Sequence, residues 1–332
     1  MYAVIFHPDG KHLLGGGDDG IRRWRLPDGQ EVGEQTGTQL QAISVSRDGE
    51  WVVCGTRKGA SVWDAELHER IIDVEIGQWV LAVDVSPDST KFATGTSEGA
   101  SIWNFTSGER LVGPLKHDNH VTGVRFSLNG EHIAASRWGG SVRIFNSRNG
   151  SQLIDINTVT RAAWPTTPLG WSNDAQRIFS LSDDNRIKSF AVSTGSQLAA
   201  SPILDHSYSI SLAGNNKFIA AVTSDAITFL DTTILAKVGT AIEGEWSYPV
   251  SLDSSRVANG RRDGKIIIHD LANFLPDSYD PFQIVSNCPL IVLASQVATI
   301  PCIRHQPARN NDQTSNLGPS RATTTNHLAL SQ

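Results

Sequence analysis

Cysteine is scarce in this 332-residue chain, and its three copies (Cys54, Cys288 and Cys302) are odd in number and widely spaced. They supply neither a disulfide framework nor a paired C-x-x-C zinc ligand set. Methionine occurs once, against 29 glycines and nine tryptophans, and no window sustains a 3.6-residue apolar period. A helical protein is thereby disfavoured. Basic charge is not in excess: 28 Lys and Arg face 34 Asp and Glu, a net charge of −6. That balance argues against a general grip on nucleic acid. Long apolar runs are missing too. The longest, Ile284 to Ile300, is broken by Asn287, Pro289 and Gln296, short of the roughly 20 apolar residues of a spanning helix. The opening MYAVIFHPDGKH has no charged n-region and no long apolar h-region, so no signal peptide is expected. With no membrane segment, the expected location is the cytoplasm, with the nucleus next.

What the chain has is globular composition, 39% apolar and 19% charged, arranged in a repeat. SVWDAE around Trp63 echoes SIWNFT around Trp103, and a series of anchors runs Trp24, Trp63, Trp103, Phe145, Phe190, Leu230 and His269. Successive anchors lie 39 to 45 residues apart. Each unit begins with an alternating run such as Ala42-Ile43-Ser44-Val45 or Ala82-Val83-Asp84-Val85. A turn follows (HPDG at 7–10, SRDG at 46–49, SPDS at 86–89, SLNG at 127–130), then a short apolar run, a Gly or Asp turn, and the anchor. Two-residue alternation punctuated by Pro, Asp and Gly marks short antiparallel strands. Strand-only units near forty residues cannot bury both faces alone and stack as blades of a β-propeller.

Ser86-Pro87-Asp88, Asp19-Gly20-Ile21-Arg22-Arg23-Trp24 and Val62-Trp63-Asp64 resemble the WD-repeat (WD40-type) family, over residues 3–271. The blades also resemble those of fungal WD-repeat sensor arrays attached to signalling nucleotide-binding proteins. The resemblance implies an all-β, seven-bladed propeller of four-stranded antiparallel blades. Its repeats are placed at about 3–26, 40–64, 80–104, 120–146, 158–191, 207–231 and 246–271. In the family a His, Ser/Thr, Asp and Trp network ties each blade. Here only fragments remain, with His117 at the His position but Trp138 where the turn Asp would be, so packing is expected to carry the blades. Residues 158–164 are aligned with a first strand, which makes 165–171 an insertion.

Propellers of this family close by pairing strands from the two chain ends. Here Met1 already falls at the first strand. The outer strand of the seventh blade is therefore expected within 272–300, near Ile284 or at Leu290-Ile291-Val292-Leu293. The alternatives are a ring that closes by packing alone, or a fragment of a longer array. Residues 301–332 are polar and Asn/Thr/Ser-rich and are expected to be disordered.

Catalytic and metal motifs are weak. Gly15-Gly16-Gly17-Asp18-Asp19-Gly20 lacks a G-K-[ST] ending and opens a strand, so it reads as a hairpin turn. His117-Asp118-Asn119-His120 has H-x-x-H spacing but no further ligand nearby, and no G-x-S-x-G elbow occurs. No enzyme activity, cofactor or metal is expected. A propeller-channel enzyme, a hydrolase or a quinone-dependent one, is the alternative of another class.

The repeat register instead points to one rim. Trp79, His120, His206 and Trp246 lead into first strands, and Arg57, Arg137, Trp138, Arg261 and Arg262 sit in turns between second and third strands. Trp and Arg are enriched at interface hot spots. The expected function is a non-enzymatic scaffold or sensor that binds a protein or peptide there, acidic or phosphorylated.

Overall fold

Antiparallel meanders account for nearly all the regular structure of the described chain, with two short 3-10 turns, Leu271–Asn273 and Asp277–Tyr279, between the third and outer strands of blade seven. The computed structural model describes residues 3–17, 20–26, 28–33, 39–66, 69–158, 169–204, 209–212, 216–223, 225–244, 250–253, 255–260, 266–279 and 298–300. The first sheet is β1 (Ala3–Phe6), β2 (His12–Gly17) and β3 (Gly20–Arg25). The second is β4 (Ala42–Val45), β5 (Trp51–Gly55), β6 (Gly59–Asp64) and β7 (Arg70–Glu75), and the third β8 (Ala82–Val85), β9 (Lys91–Gly95), β10 (Ala100–Asn104) and β11 (Arg110–Leu115). The fourth is β12 (Val121–Phe126), β13 (His132–Arg137), β14 (Val142–Asn146) and β15 (Gln152–Ile156). The fifth is β16 (Leu169–Trp171), β17 (Arg177–Leu181), β18 (Ile187–Ala191) and β19 (Gln197–Ala200). The sixth is β20 (Ser209–Leu212), β21 (Phe218–Val222), β22 (Ala226–Asp231) and β23 (Lys237–Glu243). The seventh is β24 (Val250–Leu252), β25 (Arg256–Gly260), β26 (Ile266–Asp270) and β27 (Ala298–Ile300). No helix among the described residues is long and apolar enough to cross a membrane.

The turns after the first strands show why the repeat keeps its Ser-x-Asp pattern. The Ser86 hydroxyl donates to Asp88 at 2.6 Å and accepts from Lys91 N–H at 2.9 Å. Ser127 does the same with Asn129 (2.6 Å) and His132 N–H (2.9 Å). The turn's fourth residue is left-handed, with φ +80° at Gly49 and +72° at Gly130. Glycine reaches that region without strain, whereas Ser89 and Ala175 hold it at φ +54° and +55°.

Burial lies between blades. The anchors Trp24, Trp63, Trp103, Phe145, Phe190 and Leu230 are all buried, and each packs against a neighbouring sheet. Among the described residues there are seven apolar clusters for seven sheets, and each draws on two adjacent blades. An open arc of seven blades has six seams; the seventh joins blade seven to blade one. There Val4, Phe6, Leu13 and Trp24 meet Ala258 and Ile266. The Arg256 guanidinium lies 5.2 Å from the Phe6 ring and donates to Gly10 O at 2.8 Å. Strand β1 accordingly neighbours both β4 and β24. Every sheet runs in chain order, so no described strand is exchanged between blades.

Three expectations meet a finding. The first sheet has three strands rather than four among the described residues. After β3 the chain turns, with Gly29 N–H on Arg25 O at 2.9 Å, and returns only as the single bridge Trp24–Glu31. The Asp28 carboxylate holds Arg25 at that corner. The first strand of blade five is Leu169–Trp171, inside the segment read as an insertion; 159–164 lie outside the described residues. The Ser172-x-Asp174 turn sets this register, because it must follow the inner strand directly. The outer strand of blade seven is β27, paired to β26; Ile284, Leu290–Leu293 and the tail 301–332 lie outside the described residues.

Removing the Trp24 ring empties part of the seam between blades one and seven. Trp24→Ala is expected to cost about 3–5 kcal/mol in urea unfolding. Trp138→Ala, which removes an exposed ring, stays within about 0.5 kcal/mol.

Candidate functional site

An outward-inward alternation in the segment between two strands builds the site. Between β7 and β8, Val80 is fully buried and its N–H bonds Thr56 O at 2.9 Å. The N–H groups of Ile76 and Gly77 both bond Lys58 O, so the segment is stapled to the β5–β6 turn. With Val80 turned in, its neighbours Trp79 and Leu81 turn out. Trp79 is 49% exposed, and the Arg57 guanidinium stacks 4.8 Å from its ring centroid. Such stacking holds the planar fork in place while leaving its N–H edges free for an acceptor.

Across the gap stands Trp138, 51% exposed, at the β13–β14 turn. Its N–H bonds His120 O at 2.9 Å, and Asn119 Nδ2 donates to its carbonyl at 3.2 Å. Trp79, Leu81, His120 and Trp138 line a cavity of about 600 Å³, with Gln78 and Ser97 at one edge. Those two bond each other at 2.6 Å. The volume falls within the roughly 300–1,000 Å³ of ligand pockets.

The structure therefore brings together four expected rim residues, Arg57, Trp79, His120 and Trp138. Arg137 belongs to a neighbouring group: its Nη2 lies 3.9 Å from Asp118 Oδ2, and Arg143 is 3.6 Å from the same oxygen. His206, Trp246, Arg261 and Arg262 lie outside the described residues, as do Asp18 and Asp19. Leu81, Gln78 and Ser97 escape the sequence reading; the alternation Trp79-Val80-Leu81 is the signal that places Leu81 beside Trp79.

The two histidines of the H-x-x-H spacing separate. His120 faces the cavity, whereas His117 is buried with its ring 5.8 Å from Phe145. Neither His117 ring nitrogen nor the Ser136 hydroxyl has a hydrogen-bond partner among the described residues. The blade network is thus broken where Trp138 and Phe145 replace its usual members. Elsewhere fragments persist: Trp103 Nε1 donates to Thr94 Oγ1 at 2.9 Å and Trp63 Nε1 to Ser61 Oγ at 2.8 Å.

On the inner strands, Ser44, Asp84 and Arg125 occupy equivalent positions of consecutive blades. Arg125 Nη1 donates to Asp84 Oδ1 at 2.7 Å, and Phe126 N–H to Oδ2 at 2.8 Å. Burial pushes the Asp84 carboxyl above its ordinary value, against the opposing pull of Arg125 and the Phe126 N–H. Both oxygens are committed to joining blades three and four.

The family described as WD domain, G-beta repeat matches residues 110–146, and no curated protein matches the sequence. The β-propeller domain of Cps50 (Swd1) from Myceliophteria thermophila is similar with a TM-score of 0.65 at 15% identity, covering 79% of this chain and 94% of that one. The computationally designed Ika8 protein is similar with a TM-score of 0.63 at 18% identity, covering 80% and 82%. The WD-repeat resemblance and the propeller fold are borne out.

Burial, then the cations of Arg143 and Arg137, lower the pKa of His117 from 6.5 to about 4. Above pH 6.5 the ring is neutral folded and unfolded; below it only the unfolded ring takes a proton, so stability falls as pH drops toward 4. Between pH 7 and 5 this contributes a loss of about 2 kcal/mol. His117→Phe is expected to show a correspondingly smaller loss in urea titrations at the two pH values.

Proposed function

We propose that this WD-repeat propeller is a non-enzymatic protein-interaction module, whose partner inserts an apolar side chain between Trp79 and Trp138. WD-repeat propellers generally serve as interaction scaffolds, and the rim cavity gives this one a place to do so. The observation that carries the reading is a pair of half-exposed indoles facing each other across an apolar-walled cavity. Isolated exposed tryptophans on a soluble surface gain nothing from water, whereas buried at an interface they are among the strongest anchors.

Arg57 and Arg137 set the charge preference. Among the described residues Arg57 forms no ion pair, and its guanidinium is already ordered by Trp79. A carboxylate or phosphate beside the anchor meets a preorganised fork. The net charge of −6 opposes a nucleic-acid partner, and the reading places the protein in a reducing compartment, the cytoplasm or nucleus. Hydrolytic or redox chemistry in the propeller channel is not part of the reading, because the buried acid Asp84 is held by Arg125 and a backbone N–H.

A displayed random-peptide library selected on the full chain is expected to enrich an aromatic or aliphatic residue next to Asp, Glu or a phosphorylated residue. Trp79→Ala and Trp138→Ala should each weaken the selected peptides at least tenfold with unchanged melting. The Arg57→Ala, Arg137→Ala double variant should weaken acidic peptides tenfold and flatten their salt dependence. Peptides that bind both Trp variants as well as the parent would place recognition elsewhere.

A further inference from the structure

The turn joining β1 to β2 differs chemically from its counterparts. In blades two to five its first position is serine; in blade one it is His7, and a second histidine, His12, follows Asp9 by three residues. His7 Nδ1 lies 3.0 Å from Asp9 Oδ1, and His12 Nδ1 lies 2.6 Å from Asp9 Oδ2. Ligand atoms of all three residues fall within 4.8 Å of one another. The sequence reading passes over this H-x-D-x-x-H spacing because HPDG already reads as a turn.

Each group is prepared to act as a donor. His7 Nε2 sits 2.7 Å from Gly49 O. A carbonyl only accepts, so Nε2 carries the proton and Nδ1 of the neutral ring presents a lone pair. The Asp9 N–H directed at that Nδ1 from 3.3 Å agrees. Asp9 Oδ1 accepts the N–H groups of Lys11 (2.7 Å) and His12 (3.0 Å), which fixes the carboxylate and turns Oδ2 toward His12.

An anion and imidazole lone pairs converging on one point call for a cation. Arg23 supplies part of that charge, with Nη2 3.0 Å from His12 Nδ1 and 4.0 Å from Asp9 Oδ2, and Nη1 on Ala65 O at 3.0 Å.

We propose that His7 Nδ1, Asp9 Oδ2 and His12 Nδ1 form a site for a first-row divalent metal ion of the Zn²⁺ class, with water completing the coordination. Two imidazoles and one carboxylate suit Zn²⁺ rather than Ca²⁺ or Mg²⁺, which take all-oxygen sets. The Gly49 carbonyl is the outer partner that a metal-bound histidine normally has. Because Gly49 lies in the turn of blade two, the ion ties blade one to blade two. Arg23 competes for the same position, and its Nη2 withdraws from His12 when the ion enters.

The test is calorimetric titration of the untagged, chelator-stripped full chain with ZnCl₂ alone, and with MgCl₂ for comparison. One Zn²⁺ site is expected, weakened at least tenfold in His7→Gln and in His12→Gln, and strengthened severalfold in Arg23→Gln. MgCl₂ should give no binding at the same concentrations. Zn²⁺ should raise the melting temperature of the parent chain and of Arg23→Gln but not that of His12→Gln. The proposal is overturned if neither the parent nor Arg23→Gln binds Zn²⁺, or if binding is unchanged in the His7→Gln, His12→Gln double variant.

Discussion

A four-stranded sheet standing on edge has two apolar faces and nothing within itself to cover them. Everything in this protein follows from covering those faces with neighbouring sheets. Close approach is secured at the ends of second strands, where a Cβ on Gly55 or Gly95 would meet Val80 or Val121 within 3 Å. Glycine there lets the residue leading into the next blade tuck beneath the strand end. Val80 shows what this does at the rim. Its burial against Gly55 accompanies the outward turn of Trp79 and Leu81, so the cavity that they line is a by-product of blade packing.

The same constraint explains why polar networks inside the blades are expendable. His117, Ser136 and Phe145 show a blade whose side-chain network has lapsed while its core stays packed. Polar links survive where they join blades. Asp84 and Arg125 span blades three and four, Trp171 Nε1 donates to Arg125 O at 3.0 Å, and Arg256 reaches Gly10 across the seam of blades seven and one. A hydrogen bond between sheets fixes their relative position, whereas one within a sheet adds to a ladder already formed.

Blade number, six of the anchors and the exposed positions of Trp79 and Trp138 were legible because each rests on local chemistry repeated about every forty residues. Ser-Pro-Asp turns, strand alternation and bulky anchors recur, and Trp79 and Trp138 stood out against the expected turn residues. Three features were not legible. The short first sheet depends on how Arg25, Asp28 and Gln30 fold the chain back, which no periodic pattern encodes. The first strand of blade five was misplaced because two segments ending in Trp compete for it, and only the Ser172-x-Asp174 turn decides between them. The convergence of His7, Asp9 and His12 was hidden because a turn motif explained Asp9 on its own, and the part played by Gly49 is contributed from another blade.

The central claim is that seven sheets form a closed ring by side-to-side packing, with no described strand shared between blades one and seven. Native-state amide hydrogen exchange tests it most directly. A closed ring predicts that the amides of β1, β2 and β25 exchange as slowly as those of β9 and β13, through openings of similar free energy. Exchange of the β1–β3 amides orders of magnitude faster than the rest would mean that blade one stands loose at an open end, and would contradict the account.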